Sequence, residues 1–363
     1  MDDLTPLIEQ VFSPKKGENV VILNDFPSDD LEIDNGFIAR RAFARKWHHD
    51  FLKLSEKKEF SVNEIITYEP TGANNKPLPK KGTQLGKEVD LPKLLDSLGK
   101  KDIVIALTKY SATAPLKEYA EKNNFRGASM PGVDEDMTGF EADYSLVKKK
   151  VDILADKLTK AKGAAVEFST GHKMFFDLRG KVPGLKDNGD ITKSGKTGNL
   201  PAGEAYTCPY EGFEKKLGKS LTKGEIPMYI KEERMILKVS ENKIIDIVGI
   251  GPKAEELKRF FEEDDARRYI AELGLGCNEK AEFCGKTIQD EKIEGMHFAY
   301  GYNGHFGGEI IKKKFKSEDT IVHQDIVYST SAKVHVKLLE LIYDDGSKET
   351  ILEEGKYIDG LFD

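Results

Sequence analysis

Cysteine, tryptophan and histidine are scarce in this chain of 363 residues, which contains 3, 1 and 7 of them respectively. The cysteines, Cys208, Cys277 and Cys284, are too few and too unevenly spaced for a disulfide framework or a four-thiolate zinc site. Their number favours reduced thiols in a reducing compartment. We therefore expect a cytoplasmic protein.

Long apolar runs and an excess of positive charge are also missing. No run approaches the roughly 20 residues that a membrane helix needs, and the opening MDDLTPLIEQ lacks the basic and apolar segments of a signal peptide. The net charge of −7 argues against a nucleic-acid partner, because phosphate binding needs a basic face. The composition predicts a soluble globular protein with neither a membrane nor a nucleic-acid partner.

The first part of the chain alternates short β-branched runs with longer amphipathic ones. NVVILND at 19–25 and DIVIALT at 102–108 are typical of buried strands, and the run 36–54 has apolar residues at helical spacing. Strand–helix alternation predicts crossover units, so we expect an α/β domain over residues 1–162 with a mostly parallel sheet. The run 70–87 is rich in Pro, Gly and Lys and is predicted to be a long surface loop.

The pattern changes after about residue 162. The runs 164–181 and 335–358 alternate around central turn residues and are predicted to be hairpins, while a helix is predicted from about Pro252 to Ala271. We expect residues 163–363 to form a β-rich α+β domain that carries the functional site.

Four segments of this second half offer metal-ligating side chains. In VHQDIV, His323 and Asp325 point to the same face, because residues two apart on a strand share a face. Glu272 in AELGLGCN and His297 in GMHFAYG have small same-face neighbours, which leave a ligand uncrowded. Glu204 stands in the Pro- and Gly-containing segment NLPAGEAYTCP. Together they form a candidate set of two imidazoles and three carboxylates.

This set does not match a structural zinc site, which usually closes with four ligands, mostly Cys and His. It suits a pair of divalent ions that share a bridging carboxylate, and three negative charges against about +4 leave room for a hydroxide. Hydrolysis is the natural chemistry of such a pair. On local sequence alone, Glu204 as a cap, Glu272 as a helix-terminal residue and H-x-D as an ordinary strand pattern remain open.

The same four segments, with FRGASMPGVDEDM in the first half, resemble in order the aminopeptidase T-like family of thermophilic-type metallo-aminopeptidases. The resemblance implies a homodimeric metalloprotease that removes N-terminal residues from peptide substrates by means of a hydroxide activated by two Zn, Co or Mn ions. The metal ligands that it implies are Glu204, Glu272, His297, His323 and Asp325. We also expect Glu272 to shuttle the proton with Glu204 as a ligand, and an exchange of these two roles stays open.

One position departs from the peptidases. They have a catalytic tyrosine seven residues after the histidine of H-x-A-x-G, where this chain has Gly304. Tyr302 and His305 are the nearest replacements for stabilising the oxyanion.

The H-x-A-x-G segment with the later FGG also resembles, more distantly, 2,5-dihydroxypyridine dioxygenase. In that enzyme two histidines and an aspartate hold one ferrous ion, which implies a mononuclear Fe(II) ring-cleaving dioxygenase as the alternative function. The corresponding residues here are His297, His323 and Asp325. A relative that binds a metal or small molecule without turnover is a third hypothesis.

Overall fold

The computed structural model describes residues 3–29 and 32–363. The helices are α1 (Thr5–Val11), α2 (Asn35–Lys58), α3 (Leu91–Ser97), α4 (Thr113–Asn123), α5 (Tyr144–Lys160), α6 (Pro252–Glu263) and α7 (Thr287–Asp290). The strands are β1 (Asn19–Asp25), β2 (Ser61–Val62), β3 (Ile66–Tyr68), β4 (Lys81–Gln84), β5 (Lys87–Asp90), β6 (Asp102–Thr108), β7 (Arg126–Pro131), β8 (Gly163–Phe168), β9 (Lys173–Asp177), β10 (Leu185–Asp187), β11 (Thr197–Asn199), β12 (Glu204–Thr207), β13 (Lys223–Ile230), β14 (Glu233–Ser240), β15 (Lys243–Gly249), β16 (Ile270–Gly276), β17 (Gly295–Gly301), β18 (His323–Ser329), β19 (Val336–Ile342), β20 (Lys348–Glu353) and β21 (Lys356–Tyr357). In these described ranges no helix combines the length and apolarity needed to cross a membrane.

The chain forms two compact units that are discontinuous in sequence. The first unit contains the residues up to Lys148 together with 187–202 and 279–290. The second contains Lys149–Lys186, Gly203–Asn278 and Glu291–Asp363. Each predicted domain, by contrast, is one continuous stretch of sequence, with the boundary at residue 162.

The first unit is built on a mixed sheet with the order β11-β7-β6-β1-β3-β4-β5, with β2 beside β1. The pairs among β1, β2, β3, β6, β7 and β11 are parallel, which confirms the predicted mostly parallel sheet. The β-branched runs of β1 and β6 are buried because helices cover the sheet. The longest helix, α2, is capped by Asp34, whose side chain accepts the Phe37 N–H at 2.9 Å, and it ends before Glu59, which adopts a left-handed φ of 57°.

The predicted loop over 70–87 is only partly a loop. Its last third enters a hairpin in which β4 pairs antiparallel with β5. The two-residue turn Leu85-Gly86 has positive φ at both positions, which is the geometry of a tight hairpin turn. Lys, Thr and Gln dominate β4, so the segment lacks the apolar alternation that would have indicated a strand.

The second unit contains two antiparallel sheets, as expected for a β-rich half. One has the order β15-β14-β13-β9-β8-β19-β20-β21 and includes the predicted hairpins β8–β9 and β19–β20. The other has the order β10-β12-β16-β17-β18. The strands β12, β16, β17 and β18 of this smaller sheet carry all five predicted metal ligands.

The predicted helix from Pro252 to Ala271 is too long. Helix α6 ends at Glu263, and a 3₁₀ turn then leads into β16. Asp264 causes the break, because its extended backbone stops the helix while its side chain accepts the Ala266 N–H at 3.0 Å and the Lys316 N–H at 2.7 Å. Glu272 consequently lies within a buried strand and is not a helix-terminal residue.

Candidate metal centre

Antiparallel pairing brings the four predicted segments side by side. In the β12–β16 pair Glu204 lies opposite Gly276, and in the β16–β17 pair Gly274 lies opposite His297. In the β17–β18 pair Gly301 lies opposite His323, two positions from Asp325. The five side chains therefore come from four neighbouring strands.

Gly274 creates the space that the His297 ring occupies. A Cβ atom added to this glycine would lie 2.0 Å from His297 Nε2 and 2.1 Å from Cε1. A glycine is therefore needed at position 274 because the His297 ring from the neighbouring strand fills the space that a side chain would occupy. Gly274 and His297 are both buried, and the close packing between them keeps the imidazole in one orientation.

The first ligand group consists of Glu204, Glu272 and His297. His297 Nε2 lies 3.1 Å from Glu204 Oε2 and 3.3 Å from Glu272 Oε1. One ligand atom from each of the three residues falls within 4.8 Å of the others. All three side chains are buried, with exposures of 6%, 5% and 1% in the order given.

The second ligand group consists of Glu272, His323 and Asp325. His323 Nε2 lies 3.2 Å from Glu272 Oε2 and 3.4 Å from Asp325 Oδ1, and one ligand atom of each residue again falls within 4.8 Å of the others. His323 Nδ1 lies 2.7 Å from the carbonyl oxygen of Tyr302. This contact assigns the proton to Nδ1 and leaves Nε2 as the ligating atom, an arrangement common among metal-bound histidines.

The donor set fits divalent ions. Glu204 Oε2 and Asp325 Oδ1 are buried and make no well-oriented hydrogen bond in the described part of the chain, although a buried carboxylate oxygen normally makes one. Each imidazole Nε2 faces two carboxylate oxygens, which is the arrangement expected around a cation. The two groups share Glu272, whose two oxygens face different imidazoles.

Electrostatics at the centre reflect these carboxylates. Burial lowers the pKa of His297 and of His323, but the facing carboxylates outweigh burial and hold both values well above the ordinary one. Burial raises the pKa of Glu272, yet hydrogen bonds from the two imidazoles bring it below its ordinary value. Without metal the imidazoles therefore carry protons, which a bound ion would displace.

His305 and Tyr302 lie next to the second group. The His305 ring is 5.2 Å from the His323 ring and perpendicular to it, whereas the Tyr302 ring stacks on His305 at 5.2 Å. Tyr302 also packs beside Phe315 in a small apolar cluster. His305 is thus the better placed of the two predicted oxyanion groups.

The loop that carries His305 is closed by a fully buried residue, Asn303. Its backbone N–H donates to Ile310 O at 3.2 Å, its carbonyl accepts the Gly308 N–H at 3.1 Å, and its side-chain oxygen accepts the Ile310 N–H at 2.9 Å. Its amide also donates to Glu211 and to Cys208 Sγ. Cys208 therefore contacts Asn303 and is not among the candidate metal ligands.

Sequence reasoning missed Glu291 and Lys292, which lie behind the candidate ligand Glu204. Lys292 Nζ lies 2.6 Å from Glu204 Oε1 and 2.8 Å from Glu291 Oε1, and the lysine has no exposed surface. Burial raises the pKa of Glu291 to about 8, with Lys292 lowering it and Glu204 raising it. Both residues stand in the DEK run just before His297, and a buried lysine could not be distinguished there from a surface one.

Comparisons with known proteins agree with both resemblances noted in the sequence. The family model of NicX, 2,5-dihydroxypyridine 5,6-dioxygenase, matches residues 14–332. The solved structure of 2,5-dihydroxypyridine dioxygenase from Pseudomonas putida KT2440 is 17% identical with a TM-score of 0.61, and the match covers 98% of this chain and 97% of that one. Wild-type AmpT from Thermus thermophilus is 13% identical with a TM-score of 0.56, covering 98% of each chain. At these identities the two structures show a shared fold. No curated protein sequence matches.

Proposed function

This chain belongs to the NicX family, whose model spans most of its length, and on that premise we propose that it is a metal-dependent enzyme. Its relatives represent two chemistries, ring cleavage by a dioxygenase and peptide hydrolysis by an aminopeptidase T. We propose the second for this chain: removal of N-terminal residues from peptides at a centre of two divalent metal ions.

The observation that carries this proposal is the division of the ligands into two groups. His297 belongs to the first group, His323 and Asp325 belong to the second, and Glu272 belongs to both. A mononuclear facial triad would instead need both histidines and the aspartate around one point. Two three-ligand groups with a shared carboxylate support two ions.

Each ligand then has a defined role. Glu204 and His297 would hold one ion, His323 and Asp325 the other, and Glu272 would bridge them. Two ions held in this way lower the pKa of a bound water and polarise a carbonyl. Because both Glu272 oxygens face imidazoles, its role as a ligand is better supported than its predicted role as a proton shuttle.

Metal content and substrate turnover test this function together. Protein purified without chelator is expected to contain about two Zn, Co or Mn ions per chain and to release the amino acid from aminoacyl reporter substrates. About one iron per chain, with oxygen uptake on 2,5-dihydroxypyridine, would instead establish the dioxygenase. Bound metal with neither activity would establish a binding protein.

The dioxygenase is the second candidate because the family model carries that name. It would use His297, His323 and Asp325 around one ferrous ion, with Glu204 and Glu272 outside the coordination sphere. Glu272 separates the two proposals, since it would be a ligand in the peptidase and dispensable for iron binding in the dioxygenase.

We expect His305, rather than Tyr302, to stabilise the oxyanion. His305→Ala should lower kcat by about a hundredfold or more, the usual effect of removing one oxyanion donor, because its ring lies beside His323. Tyr302→Phe keeps the stacking ring and should change kcat little. Metal content, measured alongside, should equal that of the wild type in both variants. A large loss in Tyr302→Phe with full activity in His305→Ala would reverse the assignment.

A further inference from the structure

We propose that Lys292 is a positioning residue that restricts Glu204 to binding metal through one oxygen. The proposal rests on the proposed function, because it requires Glu204 to be a metal ligand. Lys292 donates to Glu204 Oε1 at 2.6 Å. The other oxygen, Oε2, is the atom that lacks a hydrogen bond and lies 3.1 Å from His297 Nε2.

The two Glu204 oxygens therefore have different tasks. Oε1 is occupied by the lysine, so the carboxylate cannot rotate to offer both oxygens to one ion without breaking a buried, charge-assisted hydrogen bond. Oε2 points into the first ligand group. A one-oxygen carboxylate leaves an additional coordination position for water or substrate, which a catalytic site needs and a structural site does not.

Glu291 keeps the lysine in place. Burying an ammonium group is costly unless opposite charges accompany it, and Lys292 has carboxylates at 2.6 and 2.8 Å. The three groups form the chain Glu291–Lys292–Glu204 behind the ligands. The positive charge of Lys292 offsets part of the negative charge that Glu204, Glu272 and Asp325 concentrate at the centre.

The backbone is built to bring Lys292 to Glu204. A Cβ atom on Gly276 would lie 2.1 Å from the carbonyl oxygen of Ile293, so only glycine permits this segment to lie against the end of β16. The Asn278 N–H then donates to Lys292 O at 2.9 Å. Since Gly276 is also the residue opposite Glu204, the same strand end aligns both partners.

Two variants separate positioning from stability. Lys292→Met preserves the length of the side chain and removes its donor, but it leaves Glu291 buried without a counter-charge. The double variant Lys292→Met with Glu291→Gln removes that imbalance, so a folding defect of the single variant does not decide the outcome. Lys150→Met is the matched control. Lys150 is also a largely buried lysine, and it pairs with Glu294, which lies two residues after Lys292 in the sequence.

The test is titration of metal-free protein with Co²⁺, followed by calorimetry and by the visible absorption of the bound ion. We expect the double variant to bind one Co²⁺ as the wild type does and the other about 10- to 100-fold more weakly, the usual effect of losing an outer-shell partner, with an altered spectrum. Lys150→Met should match the wild type. A folded double variant with wild-type affinities and spectrum would overturn the proposal. A wild type that binds no pair of ions would instead overturn the proposed function.

Discussion

Glu272→Ala is expected to remove both metal ions and to abolish activity. Glu272 is the residue common to the two ligand groups, with Oε1 3.3 Å from His297 Nε2 and Oε2 3.2 Å from His323 Nε2. Its loss leaves each group with one imidazole and one carboxylate. If the proposed ions are bound, they would supply several kcal/mol of transition-state stabilisation, so kcat/KM should fall by about a thousandfold or more.

Metal analysis of three variants makes this prediction specific. Glu204→Ala should retain the ion of the second group, since Glu204 belongs only to the first. Glu340→Ala, on β19 and paired with the surface lysine Lys348, is the control and should retain both ions. If Glu272→Ala bound one iron as tightly as the wild type, the two-metal hypothesis would fail and the dioxygenase would be favoured.

Gly274→Ala should disable the first ligand group although it adds only a methyl group. The new Cβ would lie 2.0 Å from His297 Nε2, a distance that real structures do not tolerate. Either the imidazole leaves the centre or the strands β16 and β17 separate. We expect an affinity loss of about a hundredfold for one ion, a comparable loss of activity, and about 1 to 3 kcal/mol of destabilisation from overpacking.

A double-mutant cycle identifies the cause. In a His297→Ala background the clash disappears, so adding Gly274→Ala should change metal binding and stability far less than it does alone. Gly99→Ala, where the nearest atom would be 3.8 Å from the new Cβ, controls for the general effect of replacing glycine. Additive effects of the two substitutions in the cycle would mean that Gly274 acts through the backbone rather than through the histidine.

Continuous apolar runs were sufficient to predict β1 and β6, and apolar alternation around turn residues was sufficient to predict the hairpins, because burial on both faces or on one face leaves a direct record in sequence. It also predicted that His323 and Asp325 share a face, since strand periodicity is local. It could not predict that β12, β16, β17 and β18 are neighbours, because strand order depends on packing between distant segments. Sequence spacing alone therefore could not predict that the five candidate ligands lie close together. That expectation came from the family resemblance.

Other features leave no distinctive local pattern. The strand β4 is polar, and the end of α6 depends on what Asp264 contacts some fifty residues later in the chain. Lys292 illustrates the limit most clearly, because a lysine next to a glutamate ordinarily indicates a solvated surface. Only the contact with Glu204, 88 residues away in sequence, makes it part of the centre.

Asn303 closes the loop that places His305 beside His323. Because Asn303 pairs with Gly308 and Ile310 and encloses the residues between them, substitutions within the loop alter the group that faces His323 while the ligand strands keep their register. His305 can therefore be replaced to change the chemistry beside His323 while the strands that carry the five proposed ligands keep their pairing.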